Sequence, residues 1–275
     1  MKKLLFLVVI VLFFSCKENM PVVPPLPQID SARKVLVEEF TGVGCVQCPS
    51  GSIELENLLS ENLYGENLVV VSIHAGDFSN PLPESTINFQ TTEGEALINY
   101  LGNPAFYPSA VVDRKDFDGG SYRLQAGKSK WAGFIAQELA ENPKVTVNIS
   151  KTYEPSTRKL SVQVFGLANE ALTGELRLTV MISESNIVNA QLDDAQGGLV
   201  LDYVHNHAFR TTMTNFDGDA FATQMNKGDN YDVTLGPITL PEDWKSEDCE
   251  IIAFVNLIDG QSKEVLQVES AHVED

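Results

Sequence analysis

The chain has 275 residues, of which 43% are hydrophobic and 21% are charged, so it is long enough to bury one large core or two ordinary ones. Acidic residues outnumber basic residues by 38 to 19, and the formal net charge is -19. A charge of this sign repels the phosphate backbone, which argues against a nucleic-acid-binding protein.

The N-terminal segment has the pattern of an export signal. Two lysines precede an unbroken apolar run, 4–14, which is too short to span a bilayer. The run leads into Ser15-Cys16, a small residue followed by a cysteine, which resembles the lipobox at which lipoproteins are cleaved and lipidated. We therefore expect a signal peptide over 1–16, with Cys16 lipidated and the mature protein anchored to a membrane without spanning it. An ordinary cleaved signal with an incidental cysteine remains the alternative.

Residues 17–31 are predicted to form a tether between the anchor and the folded protein. The segment is polar and rich in proline, and such a composition favours extended chain over a packed core. Lys17-Glu18 directly after Cys16 resembles the charged surface-export signal of some outer-membrane lipoproteins. Orientations towards the periplasm and towards the cell exterior both remain open.

A cysteine pair lies inside a predicted β-α-β unit. The apolar run 34–40 predicts a buried strand, and 67–74 predicts a second one. Between them, from Cys45 to about Gly65, apolar residues that include Ile53 recur with helical spacing. The pair Cys45–Cys48 would then sit at a helix N-terminus, where unpaired amides and the helix dipole stabilise a thiolate. On this geometry Cys45 is the exposed nucleophile and Cys48 the buried thiol that resolves a mixed disulfide.

The segment from Val35 to Cys48 resembles the strand, loop and CxxC motif of thioredoxin-like proteins. By that resemblance Glu39 stands where thioredoxins keep a buried carboxylate that relays protons to the resolving cysteine. A surface carboxylate at the end of a strand is an equal alternative for this residue. Gly44 replaces the tryptophan of thioredoxins and Val46-Gln47 replaces their Gly-Pro, which puts the redox potential and the activity in question.

A second thioredoxin-like feature follows in the segment 103–114. Thioredoxin-like proteins have a cis-proline at the start of the strand that faces the active site, and the residue before it offers backbone groups to the substrate. The resemblance assigns these roles to Pro108 and Tyr107, with Pro104 as the less suitable alternative. A closing helix is predicted over 121–142, before Pro143.

Two other interpretations of the cysteine pair remain. The disulfide could be a structural link, although so small a ring constrains the unfolded chain very little. A zinc site would need further ligands, and the sequence has no second CxxC motif. We therefore predict redox chemistry without a metal or a cofactor, and the silent disulfide remains open.

The second half of the chain changes character after Pro143. Short runs that alternate apolar and polar residues predict an antiparallel sheet, and the absence of helical patterns favours an immunoglobulin-like sandwich. The predicted strands are 145–149, 160–165, 175–182, 231–235 and 249–255. The predicted fold class is therefore an α/β domain over 32–142, thioredoxin-like by the resemblance above, followed by an all-β immunoglobulin-like domain over 143–275.

One long segment, 183–228, interrupts the predicted strands. His205 and His207 would point the same way from an extended segment, and loop acids could bind calcium, but neither spacing fits a specific site. We expect a hydrogen-bonded loop scaffold here. Cys249 lies on the same face of its predicted strand as the apolar residues of that strand, so we expect a small core residue and not a catalytic thiol.

Several of these segments together resemble the 28-kilodalton outer membrane protein family, lipoproteins of Gram-negative bacteria. The matching segments are 38–42, 45–49, 107–114 and 205–210. The resemblance implies a thioredoxin-like domain followed by a β-sandwich, and a location in the outer membrane. Two functions follow as hypotheses. One is thiol-disulfide exchange with the thiols or disulfides of exported proteins. The other is a non-enzymatic surface protein, adhesin-like, in which the disulfide is inert.

Overall fold

Strands make up 46% of the described residues and helices 17%, so the fold is mainly β. The computed structural model describes residues 33–60, 63–117 and 127–274. The α-helices of this part are α1 (Cys48–Leu58), α2 (Thr92–Leu101) and α3 (Trp131–Leu139). The strands are β1 (Val35–Thr41), β2 (Leu68–His74), β3 (Ser109–Val112), β4 (Asn148–Glu154), β5 (Lys159–Leu167), β6 (Leu172–Glu184), β7 (Ile187–Asp193), β8 (Gly198–His205), β9 (Ala208–Thr212), β10 (Asp219–Met225), β11 (Asn230–Thr239), β12 (Cys249–Ile258) and β13 (Val265–His272).

Strand β1 lies inside the main sheet and is buried over its whole length. It pairs with β2 in parallel and with β3 in antiparallel orientation. Successive side chains of a strand point to opposite faces, so a strand covered on both faces needs apolar residues on each face. Val35 and Val37 face the core shared with α1 and α3, whereas Leu36 and Phe40 face the core shared with α2. The predicted β-α-β unit is confirmed.

Strand β9 connects the two halves of the main sheet. The strand order is β13-β12-β6-β9-β2-β1-β3, and β10 also pairs with β6. Strand β9 runs antiparallel to β6 and meets β2 in parallel, where the Ser72 amide donates to the His207 carbonyl oxygen at 2.8 Å. The sheet is therefore continuous across residue 142, the predicted domain boundary. The division into 32–142 and 143–275 stays a prediction about independent folding units.

A second, three-stranded sheet packs on the far half of the main sheet. Its order is β11-β5-β4. Strand β5 shows the alternation expected of a half-buried strand, and its inward Val162 and Val164 belong to the same core as Val180 of β6 and Ile251 of β12. Cys249 lies in this core and is fully buried, so its prediction as a core residue is confirmed.

A buried ion pair fixes β1 to the rest of the core. Arg114 donates to both carboxylate oxygens of Glu38 at 2.9 and 2.7 Å, and neither side chain is exposed. The guanidinium of Arg114 also lies 4.7 Å from the ring centre of Phe254. The pair therefore links β1 with β12, and its bidentate geometry satisfies both carboxylate oxygens.

The helices differ in extent from those predicted. Helix α1 is shorter than predicted, and Ile53, which was expected on its buried face, is 57% exposed. Helix α2 was not predicted. Of the predicted helix over 121–142, the structure describes α3, and residues 118–126 lie outside the described part of the chain.

The prediction of a loop scaffold over 183–228 is wrong. This segment holds β7, β8, β9 and β10. Strands β9 and β10 extend the main sheet beside β6, and β7 pairs with β8 as a separate two-stranded hairpin. The strands were missed because their buried positions carry polar as well as apolar residues, so the alternation is weak.

The predicted signal peptide, the lipidation site Cys16 and the tether 17–31 lie outside the described residues. Within the described residues, no helix has both the length and the apolar character needed to cross a membrane. Anchoring through a lipid on Cys16 stays a prediction.

Candidate active site at the Cys45–Cys48 disulfide

Cys45 and Cys48 form a disulfide between the end of β1 and the start of α1. Their Cα atoms are 5.4 Å apart, and α1 begins at Cys48. The loop before the disulfide lies against the backbone of Phe78: the Gly44 amide donates to the Phe78 carbonyl oxygen at 2.9 Å. A Cβ at Gly42 would lie 2.3 Å from the same oxygen, so only glycine allows this approach. The predicted position of the pair at a helix N-terminus is confirmed.

Both cysteines are buried. Cys45 is 4% exposed and Cys48 is 1% exposed, so the expectation of an exposed Cys45 is wrong. The β7–β8 hairpin packs on the loop that carries them. Its backbone amides at Leu192 and Asp194 donate to the carbonyl oxygens of Val43 and Val46, at 2.9 and 3.0 Å. A strand from the second half of the chain therefore closes over the disulfide loop.

Sequence reasoning missed this hairpin, although one signal was present. Gly197 ends the turn and Gly198 begins β8, both with positive φ, between two runs of β-prone residues, which is a hairpin pattern. The buried face of β7 carries the amides Asn189 and Gln191, while Val188 is 54% exposed. This inversion of polar and apolar faces concealed which side is buried.

Glu39 lies beneath the first turns of α1 and is fully buried, so the alternative of a surface carboxylate is excluded. The Ser72 hydroxyl donates to its carboxylate at 2.8 Å, and the Ser52 hydroxyl lies 3.4 Å from both oxygens. Burial raises the pKa of Glu39 to about 7, and the serine hydrogen bonds oppose the shift. The group can therefore hold or release a proton near neutral pH, directly under the cysteine-bearing turn.

Pro108 and Tyr107 lie on the neighbouring strand and the loop before it. The Tyr107–Pro108 bond is cis, as predicted, and Pro108 immediately precedes β3. The Pro108 ring packs against Gly51 in α1. Tyr107 is half-buried: its hydroxyl donates to the Ala75 carbonyl oxygen at 3.0 Å, and its ring meets Phe78 edge-on at 5.3 Å. The structure thus brings Pro108 to the cysteine-bearing helix and Tyr107 to the loop that supports Gly44.

A cavity of about 310 Å³ extends from Glu39 between α1, β2 and β8. It is lined largely by polar side chains, among them His74 and His205. Burial is the main cause that lowers the pKa of His205 to about 4 and the pKa of His74 well below its ordinary value, so both are neutral at pH 7. Phe89 stacks on His74 at 4.5 Å and lies 4.7 Å from His205. These histidines belong to an aromatic cluster beside the disulfide.

His205 and His207 both line this cavity, but they have different partners. His207 has a positive φ of 54° and so leaves the extended conformation. Its Nε2 lies 3.6 Å from a carboxylate oxygen of Glu56, while His205 is buried beside Tyr203. Among the residues that the structure describes, no three histidines, cysteines or acids are grouped to hold a metal ion.

Comparison with known proteins gives one family and one related fold. The family model of outer membrane protein Omp28 matches residues 95–275. The solved structure of HBP35 of Porphyromonas gingivalis superposes with a TM-score of 0.66 at 16% identity, covering 87% of this chain and 75% of that chain. The sporulation control protein Spo0M of Bacillus subtilis aligns with a TM-score of only 0.27 at 15% identity, over 47% of this chain and 46% of that chain. No curated protein sequence matches.

The similarity to HBP35 concerns the fold alone, because the identity is low. The Omp28 match covers well over half of the chain, and it confirms both the family resemblance and the location in the outer membrane. The chain therefore belongs to the Omp28 family of outer membrane proteins.

Proposed function

We propose that this outer membrane protein exchanges thiols and disulfides with exported proteins through Cys45 and Cys48. The observation that carries the proposal is the disulfide at the N-terminus of α1, with a buried Glu39 of pKa about 7 beneath the same helix. The residues around it fit a thioredoxin-like unit, and the two facing sheets of the second half fit an immunoglobulin-like sandwich. Both assignments are part of the proposal.

The exchange proceeds in two balanced steps. The Cys45 thiolate attacks one sulfur of a client disulfide, which forms a mixed disulfide and releases the other client sulfur as a thiolate. The Cys48 thiol then loses its proton and attacks Cys45, so that the client leaves with both sulfurs reduced and the Cys45–Cys48 disulfide forms. The described structure corresponds to this oxidised product state. A dithiol reductant returns it to the starting state.

Glu39 would serve as the proton acceptor for Cys48. Its carboxyl lies beneath the helix that begins with Cys48, and the Ser52 hydroxyl, which lies 3.5 Å from the Cys48 carbonyl oxygen, also contacts Glu39. A pKa of about 7 matches a group that must take and return a proton at neutral pH. Pro108 packs against the same helix and would position the client backbone together with Tyr107.

Reduction of insulin disulfides in the presence of dithiothreitol tests the proposal. The full chain should accelerate insulin reduction, Cys45→Ser should abolish the acceleration, and Cys48→Ser should accumulate mixed disulfides with client proteins. Cys249→Ser is the matched control. This thiol lies in the core between the three-stranded sheet and the main sheet, so its replacement should leave the activity unchanged. Absence of both acceleration and trapped adducts would contradict the proposal.

The second candidate is a non-enzymatic surface protein, adhesin-like, with an inert disulfide. The burial of both cysteines favours it, because a covered disulfide does not meet a client directly. In this case the protein should be cleaved by protease added to intact cells, and Cys45→Ser should leave the adhesion of those cells unchanged. Lost adhesion in that variant would argue against an inert disulfide.

The proposal includes a lipid anchor at Cys16. Metabolic labelling with a radioactive fatty acid should mark the wild-type protein, and Cys16→Ser should remove the label and release the protein from the membrane fraction. Cys249→Ser again serves as the control. Label that persists in the Cys16→Ser variant would exclude this anchor.

A further inference from the structure

The tip of the β7–β8 hairpin is held on the disulfide loop mainly by backbone contacts and one buried side chain. That side chain is Gln191, which is 2% exposed. Its amide nitrogen lies 3.1 Å from the Cys45 carbonyl oxygen and 3.3 Å from that of Gly42, both in the loop, and 2.8 Å from the Leu192 carbonyl oxygen of its own strand. At the rim, the exposed amide of Gln47 donates to a carboxylate oxygen of Asp194 at 3.1 Å. Gln191 is thus the buried side chain that joins the hairpin to the loop carrying Cys45.

The base of the hairpin is attached differently. Asn189 accepts a hydrogen bond from the Thr86 amide at 2.8 Å and donates to the Ile87 carbonyl oxygen at 2.9 Å. Ile187 packs in a small core with Val43. The base therefore has anchors besides the disulfide loop, at Thr86 and Ile87, and the tip can move while the base stays in place.

The hairpin also has the features of a separate moving part. Its two strands pair only with each other within the described residues. The chain enters β7 through Asn186 and leaves β8 through His207, and both residues have positive φ, of 57° and 54°. Its outer surface exposes apolar side chains, with Leu201 63% exposed. An isolated two-stranded hairpin is marginally stable, so its position depends on the contacts with the disulfide loop.

We propose that the tip of the hairpin, residues 191–198, is a gate over the Cys45–Cys48 disulfide and that Gln191 is its latch. The proposal rests on the proposed function, for which it supplies the regulation. A thiolate must approach one sulfur along the axis of the S–S bond, and at 4% and 1% exposure neither cysteine offers that path. The tip is bonded to the loop on both sides of Cys45, at Val43 and Val46, so it is the part assigned to lift before the disulfide reacts. Lifting exposes the backbone groups of the loop to water, which replaces the lost hydrogen bonds.

The rate at which a small reductant reaches the disulfide tests the gate without any client. A water-soluble phosphine attacks one sulfur and, with water, yields two thiols and the phosphine oxide. Gln191→Ala removes the latch and should raise the reduction rate about tenfold, the factor that corresponds to one lost interaction of about 1.4 kcal/mol. The control is Asp202→Ala, on the exposed part of β8, which should change the rate less than about twofold.

Gln191→Glu separates a latch from a merely structural residue. At neutral pH its carboxylate would face the carbonyl oxygens of Gly42 and Cys45 and should open the gate. Protonation restores a donor, so the ratio of the variant rate to the wild-type rate should fall as the pH is lowered towards 4. A ratio that does not depend on pH would contradict the role of Gln191.

A covalent cross-link between the exposed side chains at positions 47 and 194 tests whether holding the tip closed slows the reduction. It leaves the buried residues unchanged. In the Gln47→Lys variant, a carbodiimide can couple the introduced amine to the Asp194 carboxylate, and mass spectrometry identifies the cross-linked product. The coupled protein should be reduced at least about tenfold more slowly than the same variant before coupling. Equal rates in the coupled and uncoupled proteins would overturn the gate.

The two proposals can fail separately. In the first case insulin is not reduced and no adducts form, but Gln191→Ala speeds and the cross-link slows reduction by the phosphine. The redox function is then wrong, and the tip is a gate over a disulfide without that function. If insulin is reduced while neither Gln191→Ala nor the cross-link changes the phosphine rate, the gate is wrong and the redox function stands.

Discussion

Gly51 of α1 and Pro108 are packed so closely that a Cβ on Gly51 would lie 2.6 Å from Cγ of Pro108. The same Cβ would lie 3.0 Å from a carboxylate oxygen of Glu39. The proline ring and the buried acid therefore meet at one point under the cysteine-bearing helix. A side chain at Gly51 would push the helix away from both.

The first prediction concerns Gly51→Ala. Overpacking against Pro108 should lower the free energy of unfolding by about 1–3 kcal/mol, despite the better helix propensity of alanine. Urea unfolding followed by circular dichroism measures it. Gly133→Ala is the matched control: Gly133 lies in α3, and a Cβ there meets nothing within 4 Å. That variant should gain about 0.5–1 kcal/mol, and equal effects of both variants would contradict the close packing.

The second prediction concerns pH and Glu39. Its pKa rises from an ordinary 4.5 to about 7 on folding, so below pH 4.5 the group is protonated in both states and carries no penalty. As the pH rises from 4.5 to 7 the unfolded chain ionises first, and stability falls by about 3 kcal/mol and then levels off. Glu39→Gln should therefore stabilise the protein at pH 8 and have little effect at pH 4. Equal differences at both pH values would exclude a raised pKa.

The third prediction concerns the buried pair of Glu38 and Arg114. Glu38→Ala leaves an uncompensated guanidinium in the core and should cost about 3–5 kcal/mol of stability. The control is Lys245→Ala, because Lys245 is 60% exposed and lies 3.8 Å from Asp248. It should cost less than about 1 kcal/mol. Urea unfolding at pH 7 measures both, and a cost for Glu38→Ala no larger than that of the control would contradict a desolvated pair.

The fourth prediction concerns the reactivity of Cys249. Burial is the main cause that raises the pKa of this thiol to about 12, so at pH 8 it is protonated and covered. Iodoacetamide should label it only after unfolding in guanidinium chloride. The Cys45 and Cys48 thiols, once reduced, provide the comparison within the same chain and should react first. Labelling of Cys249 in the native protein at the rate of a free thiol would contradict its burial.

The sequence predicted the local features well, because each has a short-range pattern. The strand before Cys45, the helix after it and the core position of Cys249 all follow from residues close along the chain, whereas the cis bond at Pro108 was predicted from the resemblance to thioredoxin-like proteins. Ile53 was placed wrongly because helical spacing indicates a face and does not indicate whether another element covers it.

What the sequence could not predict are the contacts made over long separations. The distance in sequence between Gln191 and Cys45 hides their hydrogen bond, and a polar side chain on a strand normally indicates a solvent-facing position. The burial of Cys45 therefore went unpredicted, since the hairpin that packs on its loop comes from the second half of the chain. The inward position of Glu39 was left open for a similar reason. When both faces of a strand are covered, the alternation of its side chains does not show whether a given residue is buried.

The main sheet, with β9 between β6 and β2, gives the molecule a fixed internal geometry. Strand β6 and the strand that leads to Cys45 therefore belong to one hydrogen-bonded sheet, because β9 pairs with β6 and also meets β2. Under the proposed thiol exchange, a client that also bound at β6 would have to present its sulfur at the distance that this sheet sets.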